Sequence, residues 1–314
     1  MLVINNTKHF RIETPIILTI GTFDGVHLGH QKILNRLFEL KKITRLKTVV
    51  LTFEPHPRKI LFPEQTDLKL ITLTNEKIEL LAKYNVDYTV VYPFDDAFSK
   101  MEVKNYIDTI LVKQLNVKHI VIGYDHKFGK DRLGDIHVLK KYASNYNFTV
   151  EEIAKEDIDN IAVSSSIIRK SLISGNIENA NNLMGHLYSL KAKVISGKKL
   201  GREIGFPTAN LKIENNDKLI PKIGVYFVEI ILDSLKYFGM LNVGYNPTTD
   251  SGQNLKLEVN IFDFNQDIYS KFITVNFIKR LRDEIKFNTL SDLILQLKRD
   301  KEICLSMLTR NKNL

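Results

Sequence analysis

Ile16-Ile-Leu-Thr-Ile-Gly-Thr-Phe-Asp-Gly-Val-His-Leu-Gly-His30 passes from an apolar, β-branched run through two glycines into a segment of helical periodicity. A strand that turns through glycine into a helix start is where open α/β sheets hold their ligands. Gly21 and Gly25 permit close backbone approach, with Thr22, Phe23 and Asp24 in the turn between them. A helix beginning near Val26 offers unpaired N–H groups and a positive dipole end to a phosphate. His27 and His30, three residues apart, share one face of that helix and can point at the same anion. A plain Asp-Gly turn with a helix cap, or a zinc-binding histidine pair, are the competing readings. The pair lacks the i, i+4 spacing of the familiar zinc helix, and no third ligand stands nearby.

Outward from this segment, short apolar runs alternate with helix-period stretches over the first 153 residues: IILTIG (16–21), TVVLTF (48–53), VDYTVVY (86–92), HIVIG (119–123) and FTVEEI (148–153). Helices are predicted between them at about 28–42, 75–84, 102–116 and 135–146, giving a doubly wound parallel sheet with helices on both faces. Two shorter helices follow at about 164–174 and 176–184. From Tyr188 the texture changes to LKAKVISG, VYFVEIIL, FGMLNVG, LEVNIFDF and ITVNFI, short strands separated by Gly, Pro and Asn, which predict a small barrel. A last helix, capped by Asn288 or Ser291, places Leu290, Leu293, Ile294 and Leu297 on one face.

The chain has 314 residues, enough for two domains, with 44% hydrophobic and 26% charged residues, a globular composition. Its one cysteine, Cys304, excludes an intramolecular disulfide and a Cys-based zinc site. A reducing, cytoplasmic setting fits, and no apolar run approaches the roughly 20 residues of a membrane span. The net charge of +9 is spread along the chain without a compact basic run, which reads as solvated surface lysines although such a field also favours small anions; no nucleic acid and no membrane are expected as partners. A monomer or a weak homo-oligomer is expected.

Other segments carry candidate chemistry. Ser164, Ser165 and Ser166 with Arg169 form a second anion site at a helix start, although a serine run is also an ordinary cap. His56 and Pro57, and Asp125 and Phe128, follow two predicted strands on the ligand-bearing edge of the sheet. In the second half, Gly201-Arg-Glu-Ile-Gly-Phe-Pro-Thr-Ala-Asn210 combines glycines with Thr208 and Asn210 two residues apart. Glu258 alternates away from Leu257 and Val259 on a predicted strand.

GTFDGVHLGH resembles the HxGH signature of adenylyl-transferring enzymes and, more closely, the bacterial bifunctional riboflavin kinase/FAD synthetase family. TFEPHPRKIL (52–61), GYDHKFGKDRLGD (123–135) and VSSSIIRKSLISG (163–175) are similar to later blocks of its synthetase domain. GREIGFPTANL, GVYFV, LNVGYNPT, LEVNIFDF and LRDEIKF continue the resemblance in the family's order. It implies an FMN adenylyltransferase domain over 1–186, of Rossmann-like fold, and a riboflavin kinase domain over 187–314, a six-stranded barrel with a C-terminal helix.

In the first domain it implies transfer of AMP from ATP to FMN, with His27, His30 and Arg169 catalytic. Gly21, Thr22, Phe23, Asp24, Gly25, Ser164, Ser165 and Ser166 would hold ATP, and His56, Pro57, Asp125 and Phe128 the flavin. In the second it implies phosphorylation of riboflavin, with Glu258 as base. Gly201, Gly205, Pro207, Thr208 and Asn210 would hold ATP, Thr208 and Asn210 also Mg²⁺, and Arg282 and Phe287 the flavin. His126, His186-Leu187, Ala192, Asn246 and Thr249 depart from the family's common residues. Another HxGH-type adenylyltransferase would have no use for the PTAN block, and a class I aminoacyl-tRNA synthetase would need a tRNA-binding domain. A non-catalytic flavin-binding protein would bind without turnover.

Overall fold

In the computed structural model the described residues are 1–5, 10–64, 67–154, 163–197, 200–245 and 255–311. They form two compact units, Met1–Ser165 and Ser166–Leu314.

The first unit contains strands β1 (Leu2–Ile4), β2 (Ile16–Ile20), β3 (Lys47–Glu54), β4 (Tyr88–Pro93), β5 (Val117–Gly123) and β6 (Thr149–Ile153). They pair in parallel in the order β1-β4-β3-β2-β5-β6. From β2 the chain winds first toward β3 and β4, then returns to the other side for β5 and β6. The C-terminal end of β2, between β3 and β5, is therefore the topological switch point.

Alternation along β2 explains its burial on both faces. Ile16, Leu18 and Ile20 pack with Ile107, Ile110 and Leu111, while Ile17 packs with Ile33 and Leu37 of the first helix. Helices α1 (Leu28–Thr44), α2 (Pro57–Leu61), α3 (Thr74–Ala82), α4 (Asp96–Ser99), α5 (Val103–Asn105) and α6 (Ile136–Tyr146) fill the connections. The α-helix expected over 102–116 is instead one α-turn, α5, followed by π-helical Tyr106–Gln114. Its i→i+5 bonds, such as Leu115 N–H to the Ile110 carbonyl at 3.0 Å, widen the turn while Tyr106, Ile107, Ile110 and Leu111 all reach the core.

The second unit opens with α7 (Ser165–Ser174) and α8 (Ile177–Met184), followed by β7 (Tyr188–Ile195), a short α9 (Leu200–Glu203) and β8 (Ala209–Lys212). Strands β9 (Gly224–Leu232), β10 (Leu235–Tyr245), β11 (Leu255–Ile261) and β12 (Phe272–Arg282) precede the long α10 (Leu290–Asn311). The six strands close into an antiparallel barrel in the order β10-β11-β8-β7-β12-β9. The units divide at 165/166, whereas the sequence texture changes at Tyr188. Between the two points, α8 packs beside the barrel, where the Asn181 side chain donates to the Phe277 carbonyl and accepts from the Tyr188 N–H.

The last helix is capped by Thr289, not by Asn288 or Ser291. The Thr289 hydroxyl accepts from the Asp292 N–H at 3.2 Å. Leu290 is left 60% exposed, whereas Leu293, Ile294 and Leu297 are partly buried as expected, and the stripe continues to Asp300 and to Cys304, which joins Phe227, Met240 and Phe262. The reason is the later start of the buried face: Leu293 is the first residue of the helix to lose much of its exposure.

Candidate active sites

The loop after β2 is built by its neighbours as much as by its glycines. Gly25 has φ +86°, and a Cβ there would meet Ile71 at 3.1 Å, so the residue is both conformationally and sterically restricted to glycine. Phe23 (φ 50°) and Val26 (φ 37°) also occupy the left-handed region, an uncommon state for an aromatic and a β-branched residue, and both are fully buried. Surrounding contacts hold them there. The Asp24 carboxylate, 3% exposed, accepts from the Thr72 N–H at 2.8 Å and the Ile71 N–H at 3.3 Å, while the Gly25 N–H donates to the Thr72 hydroxyl at 2.9 Å. The Gly21 N–H donates to the Leu51 carbonyl. Asp24 thus faces inward and fixes the loop.

His27 caps α1, its Nδ1 accepting from the His30 N–H at 3.4 Å. An accepting Nδ1 leaves the ring proton on Nε2, which makes that atom a donor. The two imidazoles stack with centroids 3.6 Å apart and planes inclined by 17°, and Phe23 covers His30 from 4.9 Å. His30 keeps an accessible edge, but its Nδ1 is buried with no hydrogen-bond partner among the described residues. Burial, then the neighbouring His27 and Lys77, hold its pKa well below the ordinary imidazole value. A stacked histidine pair at a helix N-terminus, with His30 held toward its neutral form, presents N–H donors to an anion.

The Ser165 hydroxyl donates to the Asp24 carbonyl at 2.9 Å, bringing Ser165 to the β2 loop. Ser164 is half-buried beside it, whereas Ser166 and the half-buried Arg169 lie on α7 in the second unit. His56 caps α2, its Nδ1 accepting from the Arg58 N–H at 3.2 Å, with Pro57 as the first helical residue. Asp125 is exposed beyond β5, while Phe128 is core, 5.2 Å from the Tyr106 ring. His126 stacks near Phe128, and burial lowers its pKa to about 4. His56 and Asp125 therefore follow the strands on either side of β2.

Lys77, not singled out from the sequence, donates to the Thr22 carbonyl at 3.1 Å and the Thr52 hydroxyl at 2.8 Å. Its one sequence signal is position: it stands four residues before the core residue Leu81 on α3.

In the barrel, Gly201 and Phe206 close a tight loop, the Phe206 N–H donating to the Gly201 carbonyl at 2.8 Å. A Cβ on Gly201 would lie 2.2 Å from the Phe206 carbonyl oxygen, and Gly205 has φ +79°. Pro207 is anchored through its carbonyl by the Asn260 side chain at 2.7 Å. Thr208 is exposed and Asn210 is buried. Asn210 pairs with Glu258 across β8 and β11, and Glu258 pairs with Asn242 on β10. The Glu258 carboxylate lies 2.9 Å from the Lys256 ammonium. An open cavity of about 380 Å³ beside this strand is lined by Arg202, Pro207, Thr208, Phe264, Asp267 and Tyr269, among others.

Arg282 makes a bidentate pair with the buried Asp300 of α10, at 3.0 and 2.7 Å, and Phe287 is half-buried. His186 Nδ1 lies 3.1 Å from the Leu187 carbonyl, and Ala192 is in the barrel core. Asn246 and Thr249 lie outside the described residues. Among the described residues no group of three His, Cys, Asp or Glu side chains converges as a metal site, and no helix is long and apolar enough to cross a membrane.

Comparison with known proteins gives the same division of labour. Residues 9–167 match the FAD synthetase family, and residues 184–308 the riboflavin kinase family. Bifunctional riboflavin kinase/FMN adenylyltransferases are similar along nearly their whole length. That of Listeria monocytogenes is 39% identical over 91% of this chain and 90% of its own, that of Haemophilus influenzae 39% over 93% and 94%, and that of Escherichia coli K12 36% over 91% and 90%. A solved structure described as a macrolide-efflux protein from Streptococcus pneumoniae superposes with a TM-score of 0.88, at 32% identity, over 96% of this chain and 98% of its own. A glycine-containing loop at the switch point of a parallel sheet, a closed barrel with a polar strand face, and this likeness along both place the chain in the bifunctional riboflavin kinase/FMN adenylyltransferase family.

Proposed function

We propose that the two reactions of this family are carried out by the residues that follow, with residues 1–186 serving FMN adenylylation and 187–314 riboflavin phosphorylation. The observation that carries the first assignment is the stacked His27–His30 pair at the start of α1. In adenylyl transfer the FMN phosphate attacks the α-phosphorus of ATP, and pyrophosphate leaves. A phosphate monoester already carries a charge of about −1.5 to −2 at neutral pH, so the attacking group needs no base. What the chain must supply is position and charge neutralisation. The ring N–H groups of His27 and His30 and the helix start donate to phosphate oxygens. Ser164, Ser165, Ser166 and Arg169 form the second phosphate contact. Gly21, Thr22 and Gly25 let the backbone approach the nucleotide, with Phe23 and Asp24 holding the loop's shape. His56, Pro57 and Asp125 line the flavin side, and Phe128 supports it from the core.

In the kinase half the nucleophile is an alcohol, which is poor until its proton is accepted. Glu258 accepts that proton, and Lys256 holds the carboxylate in place. Thr208 and Asn210 supply a hydroxyl and an amide oxygen beside it, hard donors suited to Mg²⁺, which completes its shell with water and phosphate oxygens. When bound, the ion neutralises phosphate charge. Gly201, Gly205 and Pro207 shape the loop that receives ATP, and Phe287 contacts the flavin. Arg282 acts from its anchor on Asp300. The partners are riboflavin, FMN and ATP, with no nucleic acid or membrane, in a cytoplasmic monomer or weak homo-oligomer.

Incubation with riboflavin, ATP and Mg²⁺, resolved by chromatography over time, tests the reading. FMN should appear first and then convert to FAD. Absence of product from both riboflavin and supplied FMN would refute it.

A further inference from the structure

Lys77 is 6% exposed and inserted from α3 beneath the β2 loop. Its two hydrogen-bond partners, the Thr22 carbonyl and the Thr52 hydroxyl, are neutral, and both belong to segments that frame the nucleotide loop. The titratable groups that interact with it are Asp24 from the loop, Glu54 from the end of β3 and His30 from the start of α1. Asp24 and Glu54 act on it through space, without a direct ion pair among the described residues. An ammonium withdrawn from water is costly unless an opposite charge compensates it. Burial accordingly lowers the Lys77 pKa to about 8. Asp24 and Glu54 offset only part of that cost, and the ammonium lies beside the loop that takes up an anion.

We propose that Lys77 is a positioning residue for FMN adenylylation: its buried ammonium holds the Thr22 carbonyl from behind and supplies a counter-charge to the nucleotide phosphates bound on the loop. This rests on the reading of the Gly21–His30 segment as the phosphate site. A lysine that merely tied α3 to β3 would perform that task whatever the ligand's charge. A counter-charge, by contrast, matters to the nucleotide only while the amine is protonated.

The test is kcat/KM for ATP in the conversion of FMN to FAD, measured on the full chain between pH 6.5 and 10 for wild type, Lys77→Met, Lys77→Arg and His30→Ala. Riboflavin phosphorylation by the same samples serves as the internal reference. Wild type should lose kcat/KM above about pH 8, approaching tenfold per pH unit until it meets the level of Lys77→Met. Lys77→Met should be at least tenfold lower at pH 7 and flat through that window. Lys77→Arg should restore activity and abolish the alkaline fall, because a guanidinium stays protonated throughout. Wild-type kcat/KM in Lys77→Met, or an unchanged alkaline fall in Lys77→Arg, would overturn the proposal. Full FAD synthesis by His30→Ala would instead refute the underlying phosphate-site reading. If Lys77→Met does not fold, the wild-type and Lys77→Arg profiles decide between the same two outcomes.

Discussion

Asn210 and Glu258 stand directly opposite each other across the β8–β11 ladder, so a buried amide and a partly exposed carboxylate share one face of the barrel. Replacement of Glu258 by Gln keeps the shape and removes the proton acceptor. Riboflavin phosphorylation should fall by about 10²–10⁴-fold, the usual range for a general base, while supplied FMN is still converted to FAD. Loss of both products, or of neither, would contradict the assignment.

His30→Ala removes one half of the stacked imidazole pair and leaves the barrel untouched. FMN should then accumulate from riboflavin without conversion to FAD, with kcat/KM for FMN adenylylation reduced by at least about 10²-fold, as for loss of a preorganised donor. Chromatographic separation of the three flavins reads both steps in one sample.

Gly197 approaches the Asn210 side chain so closely that a Cβ would lie 1.9 Å from the amide nitrogen. In Gly197→Ala that amide must move. The kinase KM for ATP should rise several-fold, whereas FMN adenylylation stays at the wild-type rate. An unchanged kinase KM would mean that Asn210 does not contact the nucleotide.

The Asp300 carboxylate is 1% exposed and accepts from the Arg282 and Gln296 side chains. Arg282→Met strands a buried charge and should destabilise the second unit by about 3–5 kcal/mol. Adding Asp300→Leu should recover most of that loss. Thermal unfolding of the two variants separates this anchoring from any direct contact of Arg282 with flavin, which the double variant would still lack.

Lys77 gives the first unit a distinct pH dependence. Its folded pKa, about 8, lies below the ordinary lysine value of 10.5. Between those values the unfolded chain binds more protons, so this group's contribution makes stability rise with pH. Below pH 8 the full cost is present, on the order of 3 kcal/mol from the difference in pKa. Lys77→Met should therefore unfold at a higher temperature than wild type at pH 7, with the gap closing by pH 10, as followed by calorimetry.

The periodicities that define a fold were strong here. Five of the six parallel strands were legible because a sheet covered on both faces needs continuous apolar runs. β1 was not, since three residues carry no period, and its place is set by pairing with β4. The π-helical winding after Asn105 was also hidden: α- and π-turns can bury the same apolar residues. In the loop after β2, the glycines and histidines announced themselves by spacing. The inward turn of Asp24 did not, because it depends on the backbone of Ile71 and Thr72, 47 and 48 residues away. Lys77 was concealed for a related reason: its place four residues before Leu81 puts it on the core-facing side of α3, but a lysine there can equally extend to the surface.

Closure of the barrel leaves each of its strands with a neighbour on both sides. Among the described residues the parallel sheet, in contrast, ends in β1, three residues long, and in β6, which carries Glu151 and Glu152. Short or acidic borders offer a poor template to a strand from another molecule. The chain thus carries its own protection against edge-to-edge aggregation, and substitutions that lengthen β1 or neutralise β6 would weaken it even with both reactions intact.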